Sequence, residues 1–356
     1  VNNNVAVGDV EVRIVKRALI VGVTALMSGF ASSALAAEFN FSIHHFLSPK
    51  AGTHTKMIEP WVKNIEEASG GRIKFEIFPA MALGGKPPEL YNQVRDGVAD
   101  IIWTLPGYTP GVFPRVEVFE LPSVHKGNAV ATNKAIQDLA ADLAEDFKDI
   151  HPLLVHVHAG NALHLTSKDV QSLADMKGLK VRSPSRTGAW MLESWGAEPV
   201  GMPVPALPQA LAKNNIDGGL IPFEIAIPLK IAELTDYSVE LNAGQRFGTS
   251  TFLFAMNKAS YNSLPDDLKK VIDDNSGAAF ADAMGKVWDD VEPIGIQLAR
   301  DKGNKVTALT AEASAEFATK AEMVGARWIK EVSGNGIDGD ALMAKAKAAI
   351  AAHSDK

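Results

Sequence analysis

Residues 39–105 read FNFSIHHFLSPKAGTHTKMIEPWVKNIEEASGGRIKFEIFPAMALGGKPPELYNQVRDGVADIIWTL. Phe39, Phe41 and Ile43 alternate with polar residues, the period of a strand. Met57, Trp61, Ile65 and Ala68 then recur at helical spacing, and Gly70-Gly71 ends that helix. Ile73, Phe75 and Ile77 give a second strand. Leu90, Val94 and Val98 mark a short helix after Pro87-Pro88, and Asp100–Leu105 is a short buried strand. This β-α-β-α-β order predicts an α/β domain with a largely parallel sheet.

Upstream, Arg13, Lys16 and Arg17 precede a 13-residue apolar run, Ala18–Phe30, and Ala34-Leu-Ala36 is a small-x-small cleavage site. Residues 1–36 therefore read as a secretory signal, with a core helix as the plainer alternative. The run is shorter than the roughly 20 residues a membrane span needs, and no later run reaches that length. Without those residues the formal charge moves from −7 to −8. The expected compartment is the periplasm.

Downstream, Asn128–Phe147 is helical, and Leu153–His158, Leu179–Arg182 and Gly219–Ile221 are expected strands. A helix is expected near Ala189–Trp195. Pro199–Pro208 holds four prolines. It reads as a rigid loop entering the helix Ala206–Asn214, or else as a polyproline ligand. Thr249–Met256 is a long central strand, followed by helices at Asp266–Met284, Trp288–Lys302, Ala311–Val332 and Asp340–Ala352. No repeat and no floppy linker interrupts the chain. Two α/β lobes joined by strands suit this order, with ligand in the cleft between them.

Composition narrows the function classes. At 46% hydrophobic residues, 356 residues suffice for about two domains. Zero cysteine removes disulfide scaffolds, thiol nucleophiles and thiolate metal sites. The acidic balance argues against nucleic-acid binding.

Several segments together resemble the substrate-binding proteins of tripartite ATP-independent periplasmic (TRAP) transporters. They are Gly70-Gly-Arg-Ile-Lys-Phe75, Leu83-Gly84 with Gly97-Val-Ala-Asp-Ile101, and Phe119-Glu-Leu-Pro122. The most specific run is DMKGLKVR (175–182), WGAEPVGMPVPALPQAL (195–211) and Ile216-Asp-Gly218, followed by Ser263-Leu-Pro265. Their order holds from Phe39 to Trp328. The resemblance implies a two-lobed periplasmic-binding-protein-like α/β fold with mixed sheets, hinge strands and long C-terminal helices. Lobe I is expected to hold 38–159 plus 250–287, and lobe II 160–249 plus 288–356. The hinge is expected at Leu154–His158 and Ser250–Met256. It also implies a monomeric receptor that hands a small organic acid to small and large TRAP membrane subunits, with no cofactor and no chemistry of its own.

Arg182 matches the family arginine that clamps a carboxylate. A planar guanidinium at a strand end takes a carboxylate bidentately. The plainer reading is a surface arginine paired with a local acid, and Arg186 reads as solvated or as a reserve charge. Where sialic-acid-type members carry polar residues, this chain has Leu105, beside Trp103 and Thr104, and Ile221. Apolar walls favour an aromatic or branched acid over a polyhydroxylated one. The alternative is that these residues are plain core. Trp103, Trp190 and Phe223 are candidate stacking partners, Trp190 equally a core residue. His45 or Phe46 ends the first strand near the cleft, and Met202 and Val204 lie on the loop that faces the cleft in the family. Glu224 binds a ligand amine if it faces inward and is merely solvated otherwise. Lys168 falls one residue off a second basic position of the family. His156 and His158 share a strand face, but no motif places a third metal ligand.

Two other functions stay open at this level. A secreted hydrolase lacks its usual motifs here but can assemble from distant residues. A ligand-sensing lobe of a signalling system would share the fold.

Overall fold

The computed structural model describes residues 37–126 and 128–354. The expected leader, residues 1–36, lies outside the described residues.

Two sheets organise the chain. The first is ordered β2-β1-β3-β10-β4 and the second β11-β9-β5-β8-β6-β7. In the first, β1 (Phe39–His45) lies parallel to β2 (Ile73–Phe78) and β3 (Ile101–Thr104). β10 (Thr251–Asn257) runs antiparallel between β3 and β4 (Ile150–Val157). The expected largely parallel sheet is thus mixed, because its fourth strand returns from more than 140 residues downstream. Every residue of β3 and β10 is buried, as expected of strands covered on both faces. Trp61, on the helix Glu59–Ala68, packs edge-on to Phe254 at 5.0 Å, and its Nε1–H donates to the Asn275 carbonyl.

The second sheet holds β5 (Ala162–Leu165), β6 (Lys180–Ser183), β7 (Glu198–Gly201), β8 (Gly218–Ile221), β9 (Tyr237–Glu240) and β11 (Lys305–Ala308). β6 is parallel to β7 and β8, whereas β5 is antiparallel to β8 and β9. A Cβ at Gly218 would collide with the His164 carbonyl on β5, so this pairing demands glycine there. Pro199 lies inside the edge strand β7, which absorbs the front of the proline-rich stretch.

The chain crosses between the sheets at β4–β5, β9–β10 and β10–β11, and the first two crossings bond to each other. Asn161 N–H donates to the Gly248 carbonyl at 2.8 Å, Phe247 N–H to the Asn161 carbonyl at 2.9 Å, and Thr249 Oγ1 to the His158 carbonyl at 3.0 Å.

The helical tail differs from expectation in its breaks. The break lies at Asn275–Gly277, where Gly277 has a positive φ and its N–H reaches the Leu153 carbonyl. A single helix then runs Ala278–Asp301 through Pro293. Gly285, near which two helices were expected to part, instead lets this helix sit against the backbone of Val130. Position 287 falls inside this helix, which packs on both Ala129–Asp138 and Phe223–Ala226. The helix Ala311–Ser333 packs on Arg186–Ser194, and Gly339–Ser354 lies against Ala129–Asp138.

Candidate functional site

Strand ends of both sheets converge on one cavity. The first sheet supplies Phe46, Trp103, Leu105, His158, Ser250 and Phe252; the second supplies Arg182, Ile221, Glu224 and Ile225. Tyr108 and Val204 close it from loops on opposite sides, and Val204 N–H donates to the Tyr108 hydroxyl at 2.9 Å. The two halves therefore touch over the cavity. Gly107 belongs to that contact: a Cβ there would stand 2.6 Å from Ser185 Cβ and 3.1 Å from the Pro184 carbonyl.

Most of the wall is aromatic or aliphatic. Trp103 stacks on Phe252 at 4.8 Å and on Phe46 at 5.0 Å, and Phe46 meets Tyr108 at 5.5 Å. The Trp103 indole N–H donates to His156 Nε2 at 3.0 Å, which fixes the ring's tilt. Burial pushes His156 down to about 3, so it stays a neutral acceptor at ordinary pH. The strand pair His156/His158 thus splits its work. His158 accepts the Gly160 N–H on Nδ1 at 2.9 Å, which leaves the proton of the neutral ring on Nε2. Burial, reinforced by His125, His156, Arg182 and Arg246, holds His158 well below the usual histidine range.

Among the described residues, Arg182 is the one cation lining this wall. It is 2% exposed. Its Nε–H donates to the Met202 carbonyl at 3.0 Å and Nη1 to the Leu220 carbonyl at 3.1 Å; Nη2 lies 3.5 Å from the Tyr108 hydroxyl. Gly219, its neighbour across β6–β8, lets Leu207 pack close: a Cβ there would stand 3.1 Å from both Leu207 methyl carbons. Burial pulls its pKa below the ordinary arginine value, yet a guanidinium remains charged. No acidic side chain among the described residues pairs with it; its partners are two carbonyls and a phenol. A buried cation without a counter-ion, in a cavity walled by aromatic and aliphatic side chains, suits a small organic anion.

The bacterial extracellular solute-binding protein family 7 model matches residues 43–331. The chain belongs to this family. Its members are extracytoplasmic binding receptors. A TRAP solute-binding protein from a marine metagenome, specific for aromatic acid ligands and crystallised with 3-hydroxybenzoate, is 43% identical. It superposes with a TM-score of 0.87 over 90% of this chain and 100% of that one. A TRAP solute-binding protein from Rhodoferax ferrireducens, solved with copurified benzoate, is also 43% identical, with a TM-score of 0.86 over 89% of this chain and 98% of its own. The outer membrane transporter protein TsaT of Comamonas testosteroni is 25% identical over 92% of this chain and 97% of its own. The two-lobed α/β architecture is thus shared across the family.

Within this solute-binding fold, Arg182, Phe46, Trp103, Leu105, Val204, Ile221 and Glu224 come together at the cavity. The other expected residues do not line it. Thr104 lies between Trp103 and Leu105, and strand alternation turns it to the opposite face. His45 likewise points away from the Phe46 side and bonds His54 Nδ1 at 2.9 Å through Nε2. Phe223 is fully buried against Ala162 and Ala299, under the guanidinium of Arg246. Met202 contributes its carbonyl to Arg182 rather than its side chain to the wall. Lys168 is half exposed and paired with Asp175 at 3.1 Å. Trp190 lies under Arg327 at 4.2 Å and Arg186 at 5.2 Å, outside the cavity.

Arg186 is neither solvated nor in reserve. It bridges Glu117 at 2.6 Å and Glu331 at 2.8 Å. Tyr108, His158, Asn161, Ser250 and Phe252 line the cavity without having been singled out as ligand contacts. Tyr108 follows the Trp103–Leu105 strand end by three residues, which is the signal that would have found it.

Proposed function

We propose that this solute-binding protein captures an aromatic monocarboxylate and delivers it to a TRAP permease. The ligand carboxylate pairs with Arg182, and its ring lies among Phe46, Trp103 and Phe252. The observation that carries the reading is the buried Arg182 guanidinium without an acidic partner among the described residues. Its support comes from two relatives at 43% identity that were solved with benzoate and 3-hydroxybenzoate. Apolar wall offsets the cost of dehydrating a ring at about 25 cal/mol per Å². A sugar acid would leave its hydroxyls unpaired against Leu105 and Ile221.

The same reading places the protein in the periplasm, exported by a leader within residues 1–36, as a monomer that performs no catalysis. Lobe I is proposed as 38–159 plus 250–287 and lobe II as 160–249 plus 288–356. The bonded crossings around His158–Asn161 and Phe247–Thr249 would act as the hinge. Thermal shift over a panel of organic acids tests the ligand class, because a ligand that binds only the folded state raises its melting temperature. Benzoate-type acids should raise it; succinate and galacturonate should not. Stabilisation by a sugar acid with none by aromatic acids would overturn the proposal.

A further inference from the structure

The cavity carries a second polar corner besides Arg182, which is not among the charges that shift the Glu224 carboxyl. There the β5–β8 pairing sets Ala162 opposite Ile221, so Asn161 and Pro222 continue the two strands to one corner. Glu224 follows in the short helix Phe223–Ala226. Asn161 and Glu224 both line the cavity and are 2% and 8% exposed.

Neither side chain is satisfied by the protein. The Glu224 carboxyl makes no hydrogen bond or ion pair with any described residue; only its backbone N–H is used, donating to Glu292 Oε1 at 2.9 Å. Asn161 Oδ1 is buried without a partner. The corner itself is rigidly placed. Glu292 accepts both the Phe223 and Glu224 N–H groups, and Gly295 lets the long helix press on the Phe223 backbone. Unpaired buried polar groups are costly, and proteins seldom keep two in one cavity for packing alone. Burial, then the nearby Glu292, pushes Glu224 up to about 8. At neutral pH it is therefore largely a carboxylic acid, able both to donate and to accept.

We propose that Glu224 and Asn161 form a hydroxyl-reading subsite, so that the preferred ligand is an aromatic monocarboxylate bearing a ring hydroxyl remote from the carboxylate. This rests on the aromatic-acid reading above. A phenolic hydroxyl donates and accepts, as a neutral acid and an amide require. An ammonium would need Glu224 ionised, desolvated and beside Glu292. A site built to bond a hydroxyl also disfavours the analogue that lacks it, since its own groups then stay unpaired.

Calorimetry with benzoate, the three hydroxybenzoate isomers and 3-(aminomethyl)benzoate tests this in the wild type, Glu224→Gln and Glu224→Leu. 3- or 4-Hydroxybenzoate should bind tenfold or more tighter than benzoate, the 2-hydroxy isomer should not, and the amine should bind more weakly than benzoate. Glu224→Leu should cut the hydroxyl preference below threefold while benzoate affinity holds or improves. Glu224→Gln should keep part of the preference, and its ratio decides the matter if the leucine variant does not fold. A preference that survives Glu224→Leu overturns the subsite, as does a wild type that binds benzoate as well as every isomer, or the amine best. Those failures leave benzoate bound. Failure of the aromatic-acid reading is different: no aromatic acid binds at all.

Discussion

Arg182 and Arg186 stand four residues apart, one on β6 and one at the start of the next helix, and their surroundings are opposite. Arg186 holds two carboxylates, Glu117 and Glu331, and its side chain is 22% exposed. Arg182 is buried and, among the described residues, its guanidinium meets only carbonyls and a phenol. Glu117 belongs to the turn Val116–Glu120 on the side of the first sheet, so Arg186 ties the two halves together with the protein's own anions. Nearby, Thr187 Oγ1 donates to Glu120 Oε2 at 2.7 Å and strengthens the same seam. One guanidinium is structural because its charge is spent inside the protein. The other has charge left for a ligand.

The largest expected effect is at Arg182. Arg182→Ala should weaken aromatic-acid binding by two to three orders of magnitude. Breaking a buried pair costs about 3–5 kcal/mol, and each 1.4 kcal/mol is about tenfold. The melting temperature of the free protein should hold or rise, since a buried cation without a protein counter-ion is removed. Calorimetry and a melting curve read both.

Closure gives the next effect. Gly107→Ala places a methyl where Ser185 and Pro184 meet the other half. Overpacking costs about 1–3 kcal/mol, so affinity should fall roughly 5- to 100-fold with little change in the free protein's melting. Small-angle scattering with saturating ligand should show a larger radius of gyration than for the wild type. An unaltered affinity would mean that the halves need not meet at this point.

The smallest effect on binding belongs to Arg186. Arg186→Ala should change ligand affinity by less than about threefold but cost stability in a pH-dependent way. Burial, opposed by Arg186, leaves Glu117 at about 7. Its folded value lies above its unfolded one, so the folded state holds the extra proton, and stability falls as pH rises from about 4.5 to 7. Removing Arg186 raises Glu117 further. The variant should therefore lose about 1–3 kcal/mol at pH 8 and much less at pH 5.5, read from paired denaturation curves. Equal losses at both pH values would contradict the latch.

The same two arginines measure what the sequence could tell. Strand and helix periods laid out β1, β2 and β3 clearly because each alternates or runs apolar over several residues. β5, β9 and β11 are four-residue strands whose identity comes from pairing partners, and Leu163 meets Val239, 76 positions further along the chain. Arg182 stood out by its place at a strand end in a recognisable run, and Leu105 and Ile221 by their apolar character. His158, Asn161, Ser250 and Phe252 reach the cavity only because two distant crossings bond together. Arg186 looked like its neighbour because its partner Glu117 lies 69 residues away.

The most direct measurement compares benzoate with benzamide, nearly the same shape without the charge, on the wild type and on Arg182→Met. The account predicts benzoate at least a hundredfold tighter in the wild type and nearly equal affinities in Arg182→Met, since the discrimination lives in one guanidinium. Benzamide binding as well as benzoate to the wild type, or a benzoate preference undiminished in Arg182→Met, would contradict it.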